Sequence, residues 1–466
     1  MKKKIKIAYI GGGSKQWARV FMSDLALTDD LEGEIALYDI DVEAAERNQN
    51  IAKYINKNPK TKSIFTYNVY EKIDDALNNA DFVLISILPG TFKEMRSDVH
   101  APEKYGIYQS VGDTVGPGGV LRAMRTIPMF ELFANKIKEI CPNAWVINFT
   151  NPMSICVKAL YDIFPDMKVF GCCHEVFHAQ QFLTRVLKEM TGIDVDRKKI
   201  KTYACGINHF TWINKAYFKD INILSLIEPF KEKFYEDGYY EYDGKRFEFL
   251  TNPFAGGNNV KMDLYSKYKV LAAAGDRHLV EFLPQSWYLK DKETVKKYHF
   301  NLTTVDFREK DQLEKIKESI LIAEGKKEYN LSPSGEEAVQ LMKAIMGFGG
   351  LISNVNLPNT GQMSQLPLGS VVETDCIFST NEIKPIKAIE LPEEVIQLIK
   401  VNNDNIELTY KGIKERNLDL CFKAFINQPL CENLSLKDAK ALFKEMCYNT
   451  KEYLKDYFDL EEYFKN

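Results

Sequence analysis

No apolar run in this chain is long enough to span a bilayer, so nothing in it predicts a transmembrane helix or a membrane partner. Charge of one sign is not in excess either. The 61 basic and 65 acidic residues leave a formal net charge of −4, and no basic stripe stands out, which argues against a nucleic-acid partner. The nine cysteines are odd in number and lack the spacing of a disulfide framework. Behind Met1-Lys2-Lys3-Lys4 the apolar stretch is too short for a signal peptide and runs into glycines. Together these absences predict a cytoplasmic, reducing location. Neither an internal repeat nor a low-complexity linker is present, so no solenoid and no tethered module is expected. What remains is a globular composition, 45% hydrophobic and 12% aromatic over 466 residues, enough for two cores.

The segment Ile5-Lys6-Ile7-Ala8-Tyr9-Ile10 is an apolar, largely β-branched run that breaks into Gly11-Gly12-Gly13-Ser14. A strand that ends in glycines before a helix lets the backbone approach a pyrophosphate, which the helix N-terminus then attracts. Gln16 stands where the third glycine of the dinucleotide fingerprint belongs, so the motif is incomplete by itself. Its surroundings strengthen it. Glu34 to Asp39 reads as a second strand ending in an acid suited to a ribose, and Asp81 to Ile87 as a further buried strand. Strand-like and helical runs alternate to about Phe170, whereas short strands mix with long helices after about Tyr203. The expected fold is α/β, with a Rossmann-like, doubly wound parallel sheet of the lactate/malate dehydrogenase type over residues 1–202. A mixed α+β domain for substrate binding and oligomerisation is expected over residues 203–466.

Several segments carry chemistry. In Gly171-Cys172-Cys173-His174-Glu175-Val176 and Asn208-His209, a thiol and imidazoles follow a strand or enter one. One cysteine with one histidine cannot close a structural zinc site, but suits an open site completed by substrate and water. A buried core thiol and a strand-edge histidine are the plain alternatives. Asn148 to Pro152 places two amides at a strand end, where turn chemistry competes with ligand binding. Asp113 is the sole carboxylate of a glycine-rich loop, Ser110 to Gly119. Lys261 to Tyr265 and Gly275 to His278 add titratable groups without deciding a role.

In this order and spacing, the segments from Ile5 to about Phe282 resemble glycoside hydrolase family 4, the NAD- and manganese-dependent glycosidases. That family is an exception to two-carboxylate glycoside hydrolysis. The resemblance implies hydride removal from C3 of the sugar by NAD, loss of the acidified C2 proton, elimination of the glycosidic oxygen, addition of water and return of the hydride. It also implies Cys173 and His209 as ligands of Mn²⁺ or another divalent metal, and His174 as acid or substrate contact. Asp263 or Tyr265 is the implied C2 base, with Asp263 preferred and Asp113 in support. Cofactor contacts fall on Gly11, Gly12, Gly13, Ser14, Asp39 and Asn148, and substrate contacts on Arg96 and Asn151. The tetrapeptide from Cys173 to Val176 resembles the α-galacturonidase subgroup, whose uronic acid carries a C6 carboxylate. Arg277 is the expected reader of that carboxylate, with Arg122 and Arg125 as alternatives. A homodimer or homotetramer is implied. Other α-glycosidases of the family (α-glucosidase, α-galactosidase, α-glucuronidase) remain open, as does an NAD-dependent 2-hydroxy acid dehydrogenase, which would leave Cys173 and His209 without a task.

Overall fold

The computed structural model describes residues 2–240 and 252–465. Its first strands are β1 (Lys3–Ile10), β2 (Leu31–Tyr38), β3 (Phe65–Tyr70), β4 (Phe82–Ile85), β5 (Trp145–Asn148) and β6 (Lys168–Gly171). They pair in parallel in the order β6-β5-β4-β1-β2-β3. Continuous apolar runs form them because both sheet faces are covered. Alternation sends Ala8 and Ile10 of β1 into one core and Ile7 and Tyr9 into the other. This is the doubly wound arrangement expected from the alternating runs.

The sheet does not stop near residue 202. The strands β7 (Lys201–Ile207), β8 (Phe210–Phe218), β9 (Ile221–Asn222), β10 (Leu271–Ala272), β11 (Leu351–Pro358), β12 (Val371–Ser379) and β13 (Glu382–Pro385) all join it. They extend it by antiparallel pairing in the order β10-β8-β7-β12-β11-β6. The seam is Asn356 of β11 opposite Gly171 of β6. A side chain at Gly171 would meet Met153 Sδ at 2.5 Å and Asn356 Cβ at 3.0 Å, so glycine lets the two halves of the sheet close there. The helices Glu393–Lys414, Leu418–Ile426 and Leu436–Asn449 pack against the long helix Gly116–Ile140. Among the described residues, no helix is long and apolar enough to cross a membrane.

Candidate active site

The C-terminal ends of the parallel strands converge, as ligand sites in open α/β sheets do. From β6 the chain passes through Cys172 and Cys173 to His174, which caps the N-terminus of the helix Glu175–Thr191. The tight β7–β8 connection presents His209, and the loop after β5 presents Asn151. The Asn208–His209 and Asn151–Pro152 peptide bonds are both cis. Cys173 Sγ lies 3.4 Å from His209 Nδ1, and Asn151 Nδ2 lies 3.2 Å from His209 Nε2. The expected metal pair is thus brought together and buried. Beside it, the Oδ1 atoms of Asn151 and Asn208 are buried acceptors with no partner. A thiol, an imidazole and orphaned amide oxygens form a donor set that a divalent cation would satisfy.

His278 packs against His209 with the rings tilted and their centroids 4.5 Å apart, and its Nε2 lies 3.8 Å from Glu175 Oε1. Glu175 Oε2 accepts the Gly275 N–H at 2.9 Å. Within this cluster the carboxylates hold the charge. Burial alone would raise Glu175, but the ring of His278, His174, His209 and His178 keeps it well below the usual range. Asp113 is likewise held low against its burial by Arg122, His278, His209 and Arg308. Burial, with neighbouring cations, lowers His278 to about 3 and His178 to about 4. Burial also pushes the Cys173 thiol well above its usual value, with Glu373 and Glu175 adding to it, so a cation is needed to favour the thiolate.

Of these groups, Glu175 and His278 line a cleft of about 520 Å³, together with Gln16, Trp17, His178, Lys261 and Arg277. His174 opens into it, stacked on Trp17 at 5.5 Å between ring centroids. Arg277 also lines it. Its guanidinium lies 5.0 Å from the Phe254 ring centre, donates to the Thr303 hydroxyl, and has no carboxylate at ion-pair distance among the described residues.

The glycine turn borders the cleft through Gln16 and Trp17. Gly11 and Gly12 donate to the Tyr38 carbonyl at 2.9 Å, and Gly13 donates to Asp39 Oδ2 at 2.8 Å. Ser14 Oγ accepts the Trp17 N–H at 3.0 Å and so opens the helix Trp17–Ala26. A Cβ on Gly12 would strike Leu37 Cβ at 2.8 Å, and one on Gly13 would strike Ala44 Cβ and Asp39 Oδ2 at 2.8 Å. The turn is therefore a backbone cradle with an acid at its edge, which fits a dinucleotide.

Four expected site residues lie away from the cleft or have other partners. Tyr265 faces an apolar core and donates its hydroxyl to the Leu224 carbonyl at 2.5 Å. Asp263, on the same helix, accepts from Tyr288 at 2.9 Å and faces Lys231 at 3.3 Å. Neither lines the cleft, because their helix turns Asn258 and Lys261 towards it instead. Arg96 is bound at the surface to Asp306 at 2.7 Å and Glu309 at 3.1 Å. The Asn148 amide is spent inside its own turn, accepting from Thr150 N and donating to Thr150 O, both at 3.0 Å. Of the alternative arginines, Arg125 is locked on Asp98, whereas Arg122 faces Asp113 and donates to the Asn151 carbonyl at 3.1 Å. Sequence reasoning gave no role to His278, His178, Lys261 or Trp17. Only the helical spacing of His174 and His178 carried a signal.

Comparison with known proteins agrees with this geometry. The model of the family 4 glycosyl hydrolases matches residues 6–189, and that of their C-terminal domain matches residues 204–431. The chain belongs to family 4 of the glycosyl hydrolases. It is thus a glycoside hydrolase, and the dehydrogenase alternative falls away. An α-galacturonidase of Thermoanaerobacterium saccharolyticum is 51% identical over 97% of this chain and 96% of its own. A Bacillus subtilis crystal structure has a TM-score of 0.90 at 42% identity, covering 95% of this chain and 99% of that one. A more distant fold relative is a 6-phospho-α-glucosidase from gut microorganisms, solved with NAD and Mn²⁺. It has a TM-score of 0.80 at 19% identity, covering 97% of this chain and 99% of that one.

Proposed function

We propose that this family 4 enzyme is an α-galacturonidase that works with NAD and a divalent cation, manganese by analogy with its fold relative. The observation that carries the substrate reading is Arg277, a cleft guanidinium without a carboxylate partner among the described residues. A sugar C6 carboxylate would complete it. When bound, NAD supplies a reversible hydride acceptor for C3 and the cation a Lewis acid for the sugar O2 and O3. The chain's own residues do the rest. Cys173 and His209 would hold the cation, and Asn151, hydrogen-bonded to His209, would add its free Oδ1 to the donor set. His174, stacked on Trp17 at the cleft edge, delivers a proton to the leaving glycosidic oxygen. Asp113 stays anionic and steadies the His209 and His278 imidazoles. The turn of Gly11, Gly12, Gly13 and Ser14 would take the pyrophosphate, and Asp39 at its edge would take the adenosine ribose.

The test is turnover of aryl α-galacturonide, galactoside, glucoside and 6-phosphoglucoside with NAD⁺ and Mn²⁺, following phenolate and NADH together. The expected result is phenolate from the galacturonide without net NADH. Equal kcat/KM for galactoside and galacturonide overturns the uronate reading. The same reading makes the enzyme a cytoplasmic homodimer or homotetramer. Nine free cysteines fit a reducing compartment, and sedimentation tests the assembly.

A further inference from the structure

The sequence His174-Glu175-Val176-Phe177-His178 opens a helix with two histidines four residues apart and a glutamate between them. That spacing sets both rings on one helix face. Their centroids are 4.6 Å apart, and ligand atoms of His174, Glu175 and His178 all lie within 4.8 Å of one another. Neither ring makes a hydrogen bond among the described residues; His174 Nδ1 faces Glu336 Oε1 only at 3.8 Å, so each ring keeps a nitrogen to coordinate. Glu175 keeps Oε1 at 3.8 Å from His278 Nε2, while only Oε2 is taken by the Gly275 N–H. All three side chains line the cleft, which leaves room for water or substrate oxygens as further ligands.

We propose that His174, Glu175 and His178 form a second divalent-cation site, distinct from Cys173 and His209. Two imidazoles and one carboxylate suit zinc, nickel or cobalt rather than magnesium or calcium. The site contains no thiolate, which gives it a different spectroscopic signature from the first. An ion there occupies His174, so it antagonises turnover. This consequence rests on the reading of His174 as the acid, whereas the existence of the site does not.

The experiment is Co²⁺ titration of the full-length, metal-free protein, followed by visible absorption and by metal analysis after equilibrium dialysis. Two Co²⁺ per chain are expected, only one of them with sulfur-to-cobalt charge transfer. Cys173→Ser should lose the charge-transfer ion and keep the other. His178→Gln should keep the charge-transfer ion and bind the other at least about tenfold more weakly. Glu175→Gln, which still accepts the Gly275 N–H, should do the same and guards against a misfolded His178 variant. A single ion in the wild type, or two undiminished ions in both His178→Gln and Glu175→Gln, overturns the proposal. Zn²⁺ added to the Mn²⁺-loaded enzyme should inhibit, at least tenfold less potently in His178→Gln. If the cobalt results hold and that inhibition is unchanged, the site stands and the acid role of His174 is wrong.

Discussion

Neighbouring residues in this site have opposed tasks, and substitution separates them. Cys173 points at His209, whereas Cys172 packs in the core beside Phe170. Cys173→Ser should therefore abolish tight metal binding, since a neutral hydroxyl replaces a thiolate. Cys172→Ser should leave it intact at a modest cost in stability. Isothermal titration with Mn²⁺ checks both, and the reverse ranking would mean that the wrong thiol has been assigned. Arg277→Met should shrink the preference for galacturonide over galactoside by a factor corresponding to about 2–5 kcal/mol. The measurement is the ratio of kcat/KM values, and an unchanged ratio points to Arg122. Tyr265→Phe tests the placement of that side chain away from the cleft. It removes one of the two hydrogen bonds to the Leu224 carbonyl, which keeps the Ile227 N–H, so it should cost about 0.5–1.5 kcal/mol of stability in urea melts. It should also leave deuterium incorporation at C2 of the product unaffected in D₂O. Loss of that exchange would return Tyr265 to the chemistry.

At the scale of elements, the β1 turn depends on backbone fit more than on any side chain. Gly13 closes on Asp39 and on Ala44 of the helix Val42–Lys57, with no space for a methyl group. Gly13→Ala should push the turn away from both, costing about 1–3 kcal/mol through overpacking. It should weaken NAD⁺ binding in calorimetry while sparing Mn²⁺ at Cys173 and His209. Equal loss of both ligands would mean that the turn and the metal pair form one rigid unit. The loop Ser110–Thr114 is held in a different way. Glu281 accepts the N–H groups of Val111 at 2.7 Å and Gly112 at 3.0 Å, which presents Asp113 towards the imidazoles.

The whole molecule should register these buried groups in its pH stability. His178 and His278 are lowered to about 4 and about 3 by burial. Their unfolded forms take up protons below about 6.5 while the folded forms do not, so stability falls on acidification. Glu281, raised to about 7 chiefly by burial, acts in the opposite direction. Its folded form gains a proton before its unfolded form does, so it stabilises as pH drops from about 7 to 4.5. The two histidines should therefore cost the metal-free protein stability between pH 6.5 and 4.5, each on the order of 2 kcal/mol, and Glu281 and Glu373, both raised to about 7 by burial, offset much of that loss. Glu281→Gln, which keeps an acceptor for Val111 and Gly112, should make that loss steeper. Thermal melts across this range decide it, and a shallower slope in the variant would contradict the sign for Glu281.

Local order in the sequence determined much of this protein. The parallel strands and the glycine turn were legible, because strand runs and motif spacing are local, whereas Cys173 and His209 were paired only by the family resemblance. Glycine at 11 to 13 and the acid at 39 indicated a dinucleotide edge before any coordinate did. What lay beyond reach was direction. Asp263 and Tyr265 sit two residues apart on a helix whose cleft-facing side belongs to Asn258 and Lys261, a rotation set by packing against the core. Arg96 looked available until the helix Val305–Ala323 brought Asp306 and Glu309 to it. His278, far along the chain, meets His209 only because β10 pairs with β8 and its following turn carries the ring across. The continuation of one sheet through both halves was equally invisible, since it hangs on Gly171 admitting Asn356. Composition and short-range spacing specify elements and their ends, whereas side-chain direction and long-range pairing are decided only when the cores close.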